Sequence, residues 1–285
     1  MPSSRLPAPE MAAPAAPPAF HAPRLMGVVN VTPDSFYAGG RSPSAEAAVE
    51  RALRLVDEGA DFLDVGGQST RPGSDAAPLE VELARVIPVV KALAKIVKVP
   101  ISVDTDKARV AAEALDAGAR IVNDVSALRA DPDMARVAAR AERVVLMHML
   151  GAGPKTMQAD PRYGDVVREV REFLEERLEA FEAAGGDRKR VWVDPGVGFG
   201  KNLEQNLALI KHVAEFSSLA PVLLGASRKS FFGKISADAG PEDRLPGSLA
   251  VAAWAGFAGV DVLRVHDVVE TKRALAALAA VAAAS

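Results

Sequence analysis

Polar side chains that could do chemistry recur at one kind of place in this chain, the point where a short apolar run gives way to a loop. Asn30, Asp104, Asn123, Asp194, Arg264 and His266 each stand at or beside the end of such a run. Ser69-Thr70-Arg71 and Ser227-Arg228-Lys229 follow two more. The clearest case is Val191-Trp192-Val193-Asp194, which runs into Pro195-Gly196-Val197-Gly198-Phe199-Gly200-Lys201. There β-prone residues deliver a carboxylate to a loop whose glycines let backbone approach a flat ligand closely. Taken singly, such an aspartate could equally cap the next helix. Together, Asp104, Asn123 and Asp194 suit the edge of a planar ring bearing N–H donors, which a carboxylate holds bidentately. Arg71, Lys229, Arg264 and His266, with Ser69, Thr70 and Ser227 nearby, suit an anion, above all phosphate or pyrophosphate. His148 sits between Met147 and Met149 and reads as a core histidine rather than a catalyst.

The elements that must gather these groups alternate along the chain. Strands are expected at 25–30, 62–66, 101–104, 121–124, 144–148, 191–194, 221–225 and 262–266. Helices are expected at 44–58, 79–97, 107–117, 132–140, 163–184, 203–215, 248–258 and from 268 onward. Ser44 is placed to cap the first helix and Gly59 to stop it. Eight strand-then-helix units over about 250 residues match an α/β fold of the single (β/α)8 TIM-barrel kind, whose strand C-termini share one mouth where catalysis is found. An open doubly wound sheet is the alternative. It would carry Gly-x-Gly-x-x-Gly after its first strand, and none stands there. Apolar strands that each stop on a polar side chain are costly unless those groups are paired or used.

The barrel domain is expected over 24–285, after a disordered Pro/Ala-rich tail at 1–23 without the basic start and apolar core of a secretory signal. A cytoplasmic location follows as an expectation. Of 285 residues, 49% are hydrophobic and only 5% aromatic, so Ala, Val and Leu must fill the core. A net charge of −3 gives no reason to expect nucleic acid or an anionic membrane as partner. Without cysteine, disulfides, thiolate chemistry and zinc–cysteine sites are excluded. No apolar run reaches the roughly 18 to 20 residues of a membrane span.

The ordered motifs resemble those of bacterial dihydropteroate synthases. They are Met26-Gly-Val-Val-Asn-Val-Thr-Pro-Asp-Ser-Phe36, Gly66-Gly-Gln-Ser-Thr-Arg-Pro-Gly73, Ser102-Val-Asp-Thr105, Asn123-Asp-Val125, Met147-His-Met149, Asp194-Pro-Gly-Val-Gly-Phe-Gly-Lys201, Ser227-Arg-Lys229 and Arg264-Val-His-Asp267. Each alone is moderately specific, and the full ordered set, from Leu25 to the C-terminus, is far more so. The resemblance implies a sulfonamide-target transferase of folate biosynthesis. It would join 6-hydroxymethyl-7,8-dihydropterin pyrophosphate to p-aminobenzoate, giving 7,8-dihydropteroate and pyrophosphate, with Mg2+ as cofactor and a homodimer as assembly.

Carried over onto this chain, the resemblance implies that Asp104, Asn123, Asp194 and Lys229 hold the pterin, with Met147, Phe199 and Gly225 lining its slot. Thr70, Arg71, Arg264, His266 and Asn30 would handle the pyrophosphate, Asn30 on the metal side. Phe36, Pro72, Lys229 and Ser230 would flank the aminobenzoate. Lys229, Arg264, His266, Asp104 and Arg71 are the expected catalytic set. Two departures stand out: Tyr37-Ala38 where the family usually has Ser-Asp, and Gln68 where it usually has Glu. A pterin-binding methyltransferase shares the barrel and acidic pocket, but it has no pyrophosphate to hold. A catalytically inactive pterin-binding paralogue draws support only from the altered first loop.

Overall fold

Each strand of the barrel buries both of its faces, and the two faces do different work. The computed structural model describes residues 19–31, 45–70, 73–151, 153, 155, 157–158, 161–236 and 240–284. Among these, eight strands run in chain order: β1 (Arg24–Asn30), β2 (Phe62–Gly66), β3 (Ile101–Asp104), β4 (Ile121–Asp124), β5 (Arg143–Met147), β6 (Val191–Asp194), β7 (Leu223–Leu224) and β8 (Val262–Val265). They pair in parallel in the order β6-β5-β4-β3-β2-β1-β8-β7. A parallel bridge between Val193 and Val222 brings β6 to β7 and closes the barrel. The TIM-barrel expectation holds.

Outward residues such as Leu63, Val65, Ile101, Val103, Val122, Val144, Leu146 and Val193 pack under the helices in one large core. The helices are α1 (Ala45–Asp57), α2 (Leu79–Leu93), α3 (Ala108–Asp116), α4 (Met134–Ala138), α5 (Val166–Ala183), α6 (Leu203–Lys211), α7 (Phe232–Ile235), α8 (Leu245–Phe257) and α9 (Val268–Ala282). Inward residues form a separate cluster of Met26, Phe62, Ile121, Val145, Trp192, Leu223 and Val262, which plugs the N-terminal end. Phe62 meets Trp192 edge-on at 5.2 Å, and the Arg24 guanidinium covers both rings from 4.9 and 5.6 Å. Strand side chains alternate with a period of two, so the next inward layer is read by adding two. It comprises Val28, Asp64, Asn123, Met147, Asp194, Gly225 and Arg264, with Ser102 and Asp104 inward on β3. The layer above an apolar plug therefore carries the barrel's charged and amide groups, and it faces the mouth.

Differences from the expected elements have local causes. β7 is shorter than 221–225 because Pro221 has no N–H and the Val222 N–H is taken by the Asp261 carboxylate at 2.8 Å rather than by a neighbouring strand. α8 starts three residues before the expected 248, with Pro246 in its first turn, where a missing N–H costs nothing. α6 ends at Lys211 and continues as a 3-10 turn over Val213–Ser218. The short α7 was not expected. Gly59 stops α1 at φ +98°, whereas the proposed cap Ser44 lies outside the described residues. Most of the expected tail, 1–18, also lies outside them. Its last residues are held on α8, where the His21 N–H donates to the Gly256 carbonyl at 2.9 Å and Phe20 packs edge-on against Phe257.

Candidate active site

The polar inward layer is knit together by charge. Arg264, on β8, reaches across the barrel to donate Nε to Asp64 Oδ2 at 2.6 Å and Nη2 to Asp104 Oδ2 at 2.8 Å. Asn123 Nδ2 donates to the same Asp64 oxygen at 3.1 Å. Burial alone would lower the Arg264 pKa, but the two carboxylates outweigh it and raise it. Asp104 is pushed up to about 7 by burial, against the pull of Arg264. Asp194 is likewise raised by burial, offset by the Gly196 N–H and by Lys229. Its Oδ1 accepts from that N–H at 2.7 Å, so one oxygen caps the loop. Its Oδ2 faces the mouth beside Gly225, where an added Cβ would lie 3.6 Å from it. The capping and ligand-facing readings of Asp194 thus both hold, one per oxygen.

Lys229 lies on the same side, on the loop after β7, with Nζ 4.0 Å from the Phe199 ring centroid, a cation–π contact. Burial and the nearby Arg264 bring its pKa down to about 8, against the pull of Asp194 and Asp104. Met147 and Phe199 join Val125, Met149 and Met157 in an apolar cluster that walls the same side. The loop that carries Phe199 is fixed from beneath by Lys201. Its buried ammonium lies 2.7 Å from His148 Nδ1, 2.8 Å from the Gly196 carbonyl and 3.1 Å from that of Phe199. His148 packs edge-on against Phe173 at 4.7 Å, and burial and Lys201 hold its pKa down at about 2. It is a neutral acceptor within the structure, as its flanking methionines suggest.

His266 differs from the cation expected of it. Burial, then Arg264, bring its pKa down to about 3, so the ring is neutral at physiological pH. Its main-chain N–H donates to Ser227 Oγ at 3.2 Å, and its Nδ1 lies 3.1 Å from the same oxygen. A Ser227 hydroxyl that donates to Nδ1 would leave Nε2 carrying the ring proton, free to donate to a ligand. Arg228, in the left-handed region at φ 56°, gives its fork to Asp267 at 2.8 and 2.6 Å. The two sets of groups are therefore interleaved. Arg264 stands among the carboxylates, where oppositely charged groups in a poorly solvated interior stabilise one another, rather than across the mouth from them.

The remaining expected residues lie on the rim. Asn30 ends β1 opposite Gly66 and is half-buried, as is Thr70, while Ser230 is exposed. Phe36, Arg71 and Pro72 lie outside the described residues, as do Tyr37 and Ala38. The base of the Thr70 loop is anchored by Gln68, whose Oε1 accepts from the Ala77 N–H at 2.9 Å and from Lys107 Nζ at 2.6 Å. Lys107 also bonds the fully buried Glu82 at 2.6 Å, and Thr105 donates to the other Glu82 oxygen at 2.6 Å. Gln68 can take its place because Glu82 already supplies the counter-charge. Reading only strand ends misses Asp64, which lies inside β2. Its signal is an acidic residue in an otherwise apolar strand, in phase with inward Phe62.

A family model described as "Pterin binding enzyme" matches residues 26–266. The dihydropteroate synthase of Escherichia coli K12 is 46% identical over 254 residues, 89% of each chain. The Xanthomonas albilineans enzyme solved with 4-aminobenzoic acid is 46% identical, with a TM-score of 0.86 over 94% of this chain and 100% of that one. Its complex with 7,8-dihydropteroate is 45% identical, with a TM-score of 0.82 over 92% and 95% of the two chains. With its closed barrel and its charged mouth, this chain belongs to the dihydropteroate synthase family of pterin-binding enzymes.

Proposed function

We propose that the barrel mouth condenses 6-hydroxymethyl-7,8-dihydropterin pyrophosphate with p-aminobenzoate, giving 7,8-dihydropteroate and pyrophosphate. The observation that carries this reading is the gathering of Asp104, Asn123 and Asp194 at or beside the strand C-termini, with Lys229 over Phe199 and Asp194 beside Gly225. Asp104, Asn123 and Asp194 offer acceptors to the N–H edge of the pterin. Thr70, Arg71, Arg264 and neutral His266 donate to the pyrophosphate. Phe36, Pro72, Lys229 and Ser230 flank the aminobenzoate. Cleavage of the methylene–oxygen bond leaves positive charge on an electron-rich ring and negative charge on the departing group. Preorganised carboxylates and donors stabilise that separation as it develops. An arylamine is nucleophilic while neutral, so no strong base is needed.

Magnesium suits the donors at hand. Among the described residues no three His, Cys, Asp or Glu side chains gather as a metal-holding group. Asn30 offers one amide oxygen, and Mg2+ is commonly held by few protein ligands together with substrate phosphates and water. Bound there, it would neutralise charge on the leaving pyrophosphate. A homodimer is proposed through α8 and α9, where Trp254 and Val281 are exposed. No helix among the described residues is long and apolar enough to cross a membrane, and residence in the cytoplasm is part of the proposal. The test is pyrophosphate release by the purified protein with both substrates. Lys229→Ala is expected to cut turnover at least about 100-fold, the scale of losing one such electrostatic contact. A wild-type protein that makes no dihydropteroate would overturn the reading.

A further inference from the structure

Asp64 is fully buried, yet only half of its carboxylate is used. Oδ2 accepts from both Arg264 Nε and Asn123 Nδ2, at 2.6 and 3.1 Å, while Oδ1 has no hydrogen-bond partner. The Oγ of Ser102, its register neighbour on β3, has none either. A buried carboxylate oxygen without a partner costs stability, and what Asp64 holds with its other oxygen is what its position serves. The two groups it does hold both face the proposed ligand.

We propose that Asp64 is a positioning residue that sets which face Asn123 and Arg264 turn toward the substrate. An amide can present either its oxygen or its nitrogen. With Nδ2 committed to Asp64, Asn123 turns Oδ1 upward, in register with the acceptor oxygens of Asp104 and Asp194. The three then form one set of acceptors matched to a ring edge of N–H donors. Without Asp64 the amide is free to turn over and offer a donor to a donor. Arg264 has five N–H bonds, of which Nε–H and one on Nη2 are spent on carboxylates, and the geometry of the planar fork directs the rest. Asp64 touches no substrate in this scheme and acts through its two neighbours.

This inference rests on the pterin reading of the mouth, so its test reads binding separately from turnover. Wild type, Asp64→Leu and Asp64→Asn are titrated with 6-hydroxymethylpterin, which lacks the leaving group, and are melted in parallel. Asp64→Leu leaves Arg264 with Asp104 and strands one amide N–H of Asn123, so it is expected to fold with a lower melting temperature than wild type and to bind the pterin at least tenfold more weakly. The KM for p-aminobenzoate should stay within a factor of three of wild type. Asp64→Asn keeps an acceptor where Oδ2 stands and turns its amide nitrogen toward Ser102, so it should recover affinity to within about threefold of wild type. The proposal is overturned if Asp64→Leu fails to fold, if it binds the pterin normally, or if Asp64→Asn shows no recovery of binding. Failure of the wild-type protein to bind the pterin would instead strike at the proposed function.

Discussion

Lys229 offers a pH signature that separates charge at the mouth from mere packing. Burial and Arg264 hold its pKa at about 8. If its ammonium stabilises the bound pterin and pyrophosphate, kcat/KM should follow the protonated fraction in the free enzyme. That fraction is about nine-tenths at pH 7 and about one-tenth at pH 9, so kcat/KM should fall about tenfold between them. Half-burial at the lip lets water soften the shift, which moves the limb upward without removing it. Lys229→Arg keeps a cation that does not titrate in this range. Its activity, though lower, should be flat where wild type declines. Stability moves the other way. The folded pKa lies below the unfolded lysine value, so between about pH 8 and 10.4 the unfolded chain binds more protons, and this group's contribution to stability rises with pH. Alkaline loss of activity should therefore come without a Lys229-linked drop in melting temperature. A wild-type profile flat to pH 9.5, or the same alkaline limb in Lys229→Arg, would refute the reasoning.

Three further outcomes are expected. Lys107→Met strands the fully buried Glu82 carboxylate and should cost about 3 kcal/mol in urea unfolding, the low end for a broken buried pair because Lys107 itself is 21% exposed; a loss below about 1 kcal/mol would show that Glu82 finds relief elsewhere. Gly196→Ala puts a Cβ 1.8 Å from the His148 carbonyl oxygen at φ +68°, and should destabilise by more than about 2 kcal/mol while weakening pterin binding, both read from paired melts and titrations. Asn30→Ala should raise the magnesium concentration for half-maximal turnover at least about tenfold with little change in pterin affinity; an unchanged magnesium midpoint would remove Asn30 from the metal.

Much of this barrel is legible because a strand buried on both faces must be written in apolar residues, and each strand end is then marked by the polar residue that breaks the run. Phe62–Gly66, Ile101–Asp104, Ile121–Asp124 and Val191–Asp194 fall where such runs stand. The same rule hides Asp64. A polar residue in mid-strand marks no strand end, and it is the phase with Phe62 that places it inward. That Arg264 stands among the acidic groups is hidden for a related reason. A side chain as long as Arg264 spans the barrel, and its partners Asp64 and Asp104 lie 200 and 160 positions away in sequence, with no local mark of the pairing. His266 reads as a cation by type and is neutral by position, since Arg264, Arg228 and Lys229 crowd a ring already short of water. Residue type and strand phase thus say which groups reach the mouth. Their charge there depends on neighbours the fold brings in from distant strands, which is why Asp64, the residue that links β2, β4 and β8 through one oxygen, is the one to change first.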